Sequence, residues 1–204
     1  MFSKTSRLFA TCIAIIAWST VMMQLYININ LKLNPLSETL IRFFSYFTVL
    51  TNILVAVCCT AIATGSKKFF SRPATICAVA VYISIVGIIY NVILRNLWHP
   101  TGTQKIVDEL LHVVVPVLFI LFWLLLVPKN MLQWKNAFPW LLYPLIYLIA
   151  VMCRGSFSGF YPYPFLDLSL SAFQQVLLNC CMICAAFLFI SLLFIWIAKL
   201  TSKK

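Results

Sequence analysis

The chain has 204 residues, 63% of them hydrophobic and 9% charged, with a formal net charge of +11. A soluble domain of this length has no use for that much apolar surface, so the composition excludes a soluble enzyme and defines one polytopic membrane domain over residues 1–204. The basic residues sit in short segments between apolar runs, where they act as topology signals, and no nucleic-acid partner is expected.

Apolar windows of about 20 residues predict spanning helices. The first covers 8–29 and follows Lys4 and Arg7. It is longer than a signal-peptide core and no small-x-small site follows it, so it reads as an uncleaved first transmembrane helix. Five more follow at 40–63, 74–94, 110–127, 138–152 and 172–198, the fifth short and containing Pro144. The expected fold is all-α, a bundle of six transmembrane helices.

With the N-terminus inside, ten of the fifteen Lys and Arg fall on the cytoplasmic side, Lys203 and Lys204 among them. All four acids, Glu38, Asp108, Glu109 and Asp167, fall on the other. The split predicts both termini in the cytoplasm. A bacterial inner membrane is the expected location.

Seven of the eight Cys lie inside apolar segments, and Cys153 lies near a segment end. The run CCMIC at 180–184 lacks the His or second Cys pair of a zinc site. Buried Cys acting as a small hydrophobe explains it, and no metal is expected.

The polar residues gather at one depth. In RFFSYFTVLTN (42–52), Arg42, Ser45, Thr48 and Asn52 are spaced by three, three and four, which is one face of a continuous helix. At the same outer level stand Gln24 and Asn28 of helix one, Asn91 and Arg95 of helix three, and Asp108, Glu109 and His112 of helix four. Gln174, Gln175 and Asn179 open helix six, and the loop before it carries Arg154, Tyr161, Tyr163 and Asp167. The inner halves hold almost nothing polar beyond Cys, Ser and Thr. Ionisable groups in a membrane face a cavity or one another, so the pattern predicts a pocket open to the outer leaflet. Interhelical hydrogen bonding, worth roughly 0.6 kcal/mol each, is the alternative for any single Ser or Thr.

His112 has Asp108 at i−4 and Glu109 at i−3, either of which could hold one ring nitrogen. Pro116 removes the N–H that would meet the His112 carbonyl, so a kink is expected there. A histidine so placed suits a general base, and equally a structural histidine bonded between helices. A Ser or Thr hydroxyl beside it completes the minimum for acyl transfer. Asn52 could steady the oxyanion and an Arg could hold a carboxylate. GSFSG (155–159) has Phe157 where a nucleophile elbow needs Ser. There is no H-E-x-x-H, and His99 lies in an outer loop, so no haem or other cofactor is expected.

Three stretches carry a resemblance: RFFSYF (42–47), LLHVVVP (110–116) and GFYPYPFLD (159–167). They resemble the androgen-induced gene family of multi-pass membrane hydrolases, which includes the androgen-dependent regulator of tissue factor pathway inhibitor, and its bacterial relatives. The resemblance covers most of the chain in matched order, and the Tyr-Pro-Phe-Leu-acid run is its most specific piece. It implies a six-helix intramembrane hydrolase that cleaves fatty acid esters of hydroxy fatty acids with a Thr nucleophile and a His. Carried over by motif, the nucleophile falls at Ser45 and the histidine at His112, with Thr48 one turn beyond as a rival. The chain departs from the animal members at Glu109, where they have a second His, and at Gly155 and Ser156, where they have a His pair. The expected function is therefore hydrolysis of a membrane-lipid or fatty-acyl ester. A non-enzymatic lipid-binding protein or small transporter using the same cavity is the alternative.

Overall fold

The computed structural model describes residues 2–202. Lys203 and Lys204 lie outside the described residues. The described chain is helical and contains no strand. Its α-helices are α1 (Lys4–Asn30), α2 (Leu36–Phe44), α3 (Phe47–Ala63), α4 (Pro73–Val92), α5 (Gly102–Glu109), α6 (Val115–Leu126), α7 (Ala137–Trp140), α8 (Leu142–Ser158) and α9 (Phe173–Thr201). Short turns extend several of these. Five continuous helical stretches are long and apolar enough to cross a membrane, or six if the bent pair α2 and α3 is one span. Helices of this length and composition are compatible with an integral multi-pass membrane protein.

The boundaries follow local chemistry. Ser3 caps α1 by accepting the Ser6 N–H at 3.0 Å. Pro73 occupies the first turn of α4, where its missing N–H costs nothing. Pro144 falls in the first turn of α8 for the same reason, so the fifth span is not short: its helical stretch runs Trp134–Ser158. Gly159 ends it in the left-handed conformation, φ 68°. Ile76 through Val86 of α4 are buried on every face, so α4 is the central helix. It packs against α3, α6 and α9, while α1 lies along α3.

The second predicted span is not one straight helix. α2 and α3 meet at 72°, with the break at Ser45 and Tyr46. Ser45 closes α2 in the α region, and Tyr46 is extended at φ −84°, ψ 124°. The Ser45 hydroxyl donates back to the Ile41 carbonyl at 2.7 Å, a bond that competes with helix continuation. The Ser45 carbonyl accepts from the Tyr147 hydroxyl at 2.8 Å instead of from a helical N–H. Arg42 and Ser45 therefore do not share a helix face with Thr48 and Asn52, which corrects the expectation from their spacing.

The fourth span begins earlier than its apolar run, at Gly102, and continues to Leu126. Pro116 does not break it. Residues Leu110–Val114 form a π turn, in which the Val115 N–H donates to the Leu110 carbonyl. The widened turn absorbs the missing donor and carries His112 at its centre. Gly87 of α4 lies against it: a Cβ there would sit 3.3 Å from the His112 carbonyl oxygen.

Candidate active site: a histidine-bearing cavity at the helix break

A cavity of about 400 Å³ lies at the end of the bundle where α1 stops and α3 starts. Thr48, Tyr90, Asp108, His112 and Tyr163 line it, together with Gln24, Asn28 and Gln104 on its far wall.

His112 is held at its Nδ1 edge and on one ring face and is buried, with 9% of its surface exposed. Its Nδ1 lies 2.8 Å from the backbone carbonyl of Asp108, which can only accept, so Nδ1 carries the proton. The neutral ring then keeps its lone pair on Nε2. The Asp108 carboxylate Oδ1 lies 3.3 Å from the same Nδ1. The Tyr90 ring stacks on the imidazole at 4.0 Å and 12°, and the Tyr90 hydroxyl donates to the Asp108 carboxylate. Asp108, through its backbone carbonyl, orients His112, and its carboxylate is the acid that lies beside the ring. Glu109 is committed elsewhere, pairing with Arg95 Nη2 at 2.7 Å, and Arg95 in turn lies over the Tyr90 ring at 5.1 Å.

Thr48 stands in the first turn of α3, behind the extended Tyr46. The Tyr163 hydroxyl accepts the Thr48 N–H at 3.3 Å and lies 3.4 Å from Thr48 Oγ1. Tyr163 reaches Thr48 from the connection between α8 and α9, so 115 residues of chain separate the partners. Burial pushes the Tyr163 phenol above its ordinary value, opposed by the bonds from Thr48, so it stays a neutral hydroxyl. Helix α3 has no side-chain cap at this end. Its first-turn N–H groups and the positive end of its dipole lie beside Thr48.

Ser45 is not among the residues lining this cavity. Its hydroxyl takes part in a second cluster with Arg154 Nη1 at 3.4 Å. There Glu38 Oε1 accepts from Arg42 Nε at 2.6 Å and from Arg154 Nη2 at 2.9 Å, and both guanidinium groups lie over the Phe160 ring, at 4.5 and 5.0 Å. Arg154 belongs to α8 rather than to the loop that follows. The cluster ties the broken span to α8.

Asn52 is fully buried, and its amide donates to the Thr48 carbonyl at 2.9 Å and the Leu111 carbonyl at 3.2 Å. Both donors are spent on tying α3 to the π turn, so Asn52 is a brace rather than an oxyanion donor. The remaining candidates lie outside the cavity. Asn91 is exposed and donates to the Gly87 carbonyl. Asp167 accepts from Ser169 within its own loop. Asn179 donates to the Phe165 carbonyl at 2.9 Å, which holds the turn Pro164–Leu166 against α9.

Tyr90 is the cavity residue that sequence reasoning missed. Its signal was a tyrosine in the last turn of a largely apolar helix, whose hydroxyl needs a polar partner when buried. Among the described residues no three His, Cys, Asp or Glu converge as metal ligands would.

The fold is compatible with an integral multi-pass membrane protein, and the site gathers a hydroxyl, an oriented histidine and a neutral phenol around one cavity. No family model, no curated protein and no solved structure matches the chain.

Proposed function

We propose that the protein is an intramembrane lipid-ester hydrolase, with Thr48 as nucleophile and His112 as general base. The observation that carries this reading is the shared cavity. Thr48 and His112 both line it, and the histidine tautomer leaves Nε2 free to take a proton. Thr48 Oγ1 attacks the ester carbonyl and its proton passes to His112 Nε2. The C–O bond of the ester breaks, and the leaving alkoxide takes the proton from the imidazolium. Water then adds to the acyl-threonine, again giving its proton to His112, and the acid departs as Thr48 is restored. The Tyr163 hydroxyl and the uncapped first turn of α3 supply donors for the oxyanion.

Under this reading the chain is a relative of the androgen-induced gene family, six spans have both ends in the cytoplasm, and the cavity opens to the outer leaflet. Motif carry-over points to Ser45 as nucleophile; the cavity geometry favours Thr48. A lipid ester is the substrate class that reaches such a site from the bilayer. A small transporter is disfavoured because the cavity at the other end of the bundle, about 240 Å³ and bounded by Arg7, Lys67 and Arg72, shares no residue with the first.

The test is labelling of purified protein by a fluorophosphonate probe, with ester turnover alongside. Thr48→Ala and His112→Ala abolish both, while Ser45→Ala retains them. Labelling that survives Thr48→Ala refutes the nucleophile assignment, and turnover that survives Thr48→Ala and Ser45→Ala together refutes the mechanism.

A further inference from the structure

The catalytic cavity has an apolar neighbour. A narrow cleft of about 60 Å³ lies on the opposite side of Thr48, between α3, α4, α8 and α9. Thr48, Leu94 and Tyr163 border both spaces, and His112 borders only the larger one. Beyond Thr48 and the Tyr hydroxyls, the cleft wall is aliphatic, aromatic or Cys. Little close backbone packing joins α8 to α9, so the cleft runs out between them. At that edge Leu148 and Ile183 are half-buried and Cys184 is exposed. In a spanning bundle this opening faces lipid tails.

We infer that this cleft holds the acyl chain of the ester, and that the larger cavity takes the alcohol portion. The inference rests on the hydrolase reading and follows from its chemistry. The alcohol must leave and water must arrive on the side where His112 exchanges protons, first as acid and then as base. His112 is in the larger cavity, so that side is the alcohol and water side. The acyl group stays on Thr48 between the two steps and needs a place that does not obstruct water. The cleft on the far side of Thr48 is that place: beyond the shared Thr48 and Tyr163, and Tyr147, whose hydroxyl is bonded to the Ser45 carbonyl, its wall is apolar. A water-sized guest takes about 10–15 Å³, so the cleft has room for roughly four to six, enough to seat a short apolar segment. A longer chain continues through the gap between α8 and α9 into the bilayer. The larger cavity carries amides instead. Gln24 and Gln104 exchange hydrogen bonds at 2.9 and 3.3 Å, and Gln24 also donates to Asn28. The substrate class is thus an ester with a plain acyl arm and a hydrogen-bonding alcohol arm, drawn laterally from the membrane.

Two measurements test this. A fatty acid bearing a diazirine is photo-crosslinked to the full-length protein in micelles, and the adduct is mapped by mass spectrometry. Separately, turnover of p-nitrophenyl decanoate and p-nitrophenyl acetate is compared for the native chain, Ile183→Trp and Leu148→Trp, each wall being narrowed in turn. The expected result is an adduct on Cys180–Phe187 or on the facing turn of α8. Either variant should also lower the decanoate-to-acetate ratio in kcat/KM by roughly tenfold or more. An unchanged ratio in a variant that melts normally, or adducts spread evenly over lipid-facing helices, overturns the acyl site. Adducts in the cleft of a protein that turns over neither ester support the acyl site and overturn the hydrolase reading. The adduct map uses the native chain, so it decides the question even where both tryptophan variants fail to fold.

Discussion

Asp108→Asn separates the two ways in which Asp108 touches His112. The backbone carbonyl at 2.8 Å fixes the ring tautomer and survives any side-chain substitution. The carboxylate at 3.3 Å contributes only charge, which matters once Nε2 has taken a proton. The two side chains are 8% and 11% exposed, so screening by solvent is weak. At 3.3 Å and an effective dielectric of roughly 20 the ceiling on their attraction is about 5 kcal/mol. The asparagine oxygen still accepts from Tyr90, and the imidazolium is only partly formed in the transition state. About half the ceiling is then expressed, or roughly two orders of magnitude in turnover. The assay is kcat on a p-nitrophenyl ester in micelles for Asp108→Asn, His112→Ala and the double variant, with melting temperatures as a folding control. Asp108 acts only through His112, so the double variant should be no slower than His112→Ala alone. Multiplicative losses in the double variant, or native turnover in Asp108→Asn, would refute the role given to the carboxylate.

Other consequences follow from the same contacts. Tyr163→Phe removes a donor beside Thr48 and should lower turnover about a hundredfold or more, with a smaller loss of stability. Because burial raises the Tyr163 phenol above the ordinary value of 10.0, its hydroxyl contributes fully below about pH 10 and is lost only as pH rises through the higher folded value. The gap in melting temperature between native and Tyr163→Phe should therefore be flat from pH 7 to 10 and narrow above that; a gap that closes by pH 8 contradicts it. A Cβ on Gly155 would fall 2.0 Å from the Tyr161 ring, so Gly155→Ala should cost about 1–3 kcal/mol of overpacking against a helix-propensity gain of about 1. In a Tyr161→Ala background the same substitution should become neutral or stabilising, as thermal melting in detergent would report. Glu38→Gln removes the one carboxylate between Arg42 and Arg154, and should raise tryptic cleavage after Arg154, more so at low salt.

Much of the fold was legible because hydropathy is a one-dimensional signal. Segments 74–94, 110–127 and 172–198 match helices to within a few residues, apart from the polar start of the fourth span. That start was missed because Gly102–Glu109 carries Gln104, Lys105, Asp108 and Glu109, which lower the window average although the backbone stays helical. Composition cannot see a helix that extends past its apolar stretch. It could see that the polar residues cluster near one end, and His112, Asp108, Thr48 and Tyr163 do meet there.

Spacing failed where the backbone changes direction. A period of 3.6 places Ser45 and Thr48 on one face only if the residues between them are helical, and Tyr46 is not. The break has a local cause in the Ser45 hydroxyl and a distant one in Tyr147, and only the first could be read from nearby sequence. Its effect on the site is direct. A continuous helix would hide the first-turn N–H groups of residues 47–49 inside the ladder of a longer span. The break takes them out of that ladder, gives the Thr48 N–H to the Tyr163 hydroxyl, places Thr48 on the cavity that His112 also lines, and sends Ser45 to the Arg154 cluster. The π turn does the matching service on the other wall, where Pro116 leaves the His112 carbonyl without a helical donor. Both irregularities fall at residues that line the cavity or adjoin it, and neither is required for packing a helix bundle. Backbone departures of this kind cost stability and persist where the site they shape is under selection. Restoring the second span to a straight helix, for example by removing the Ser45 back-bond and the hydrogen bond donated by the Tyr147 hydroxyl together in Ser45→Ala/Tyr147→Phe, should therefore leave the protein folded by thermal melting and silence its ester turnover.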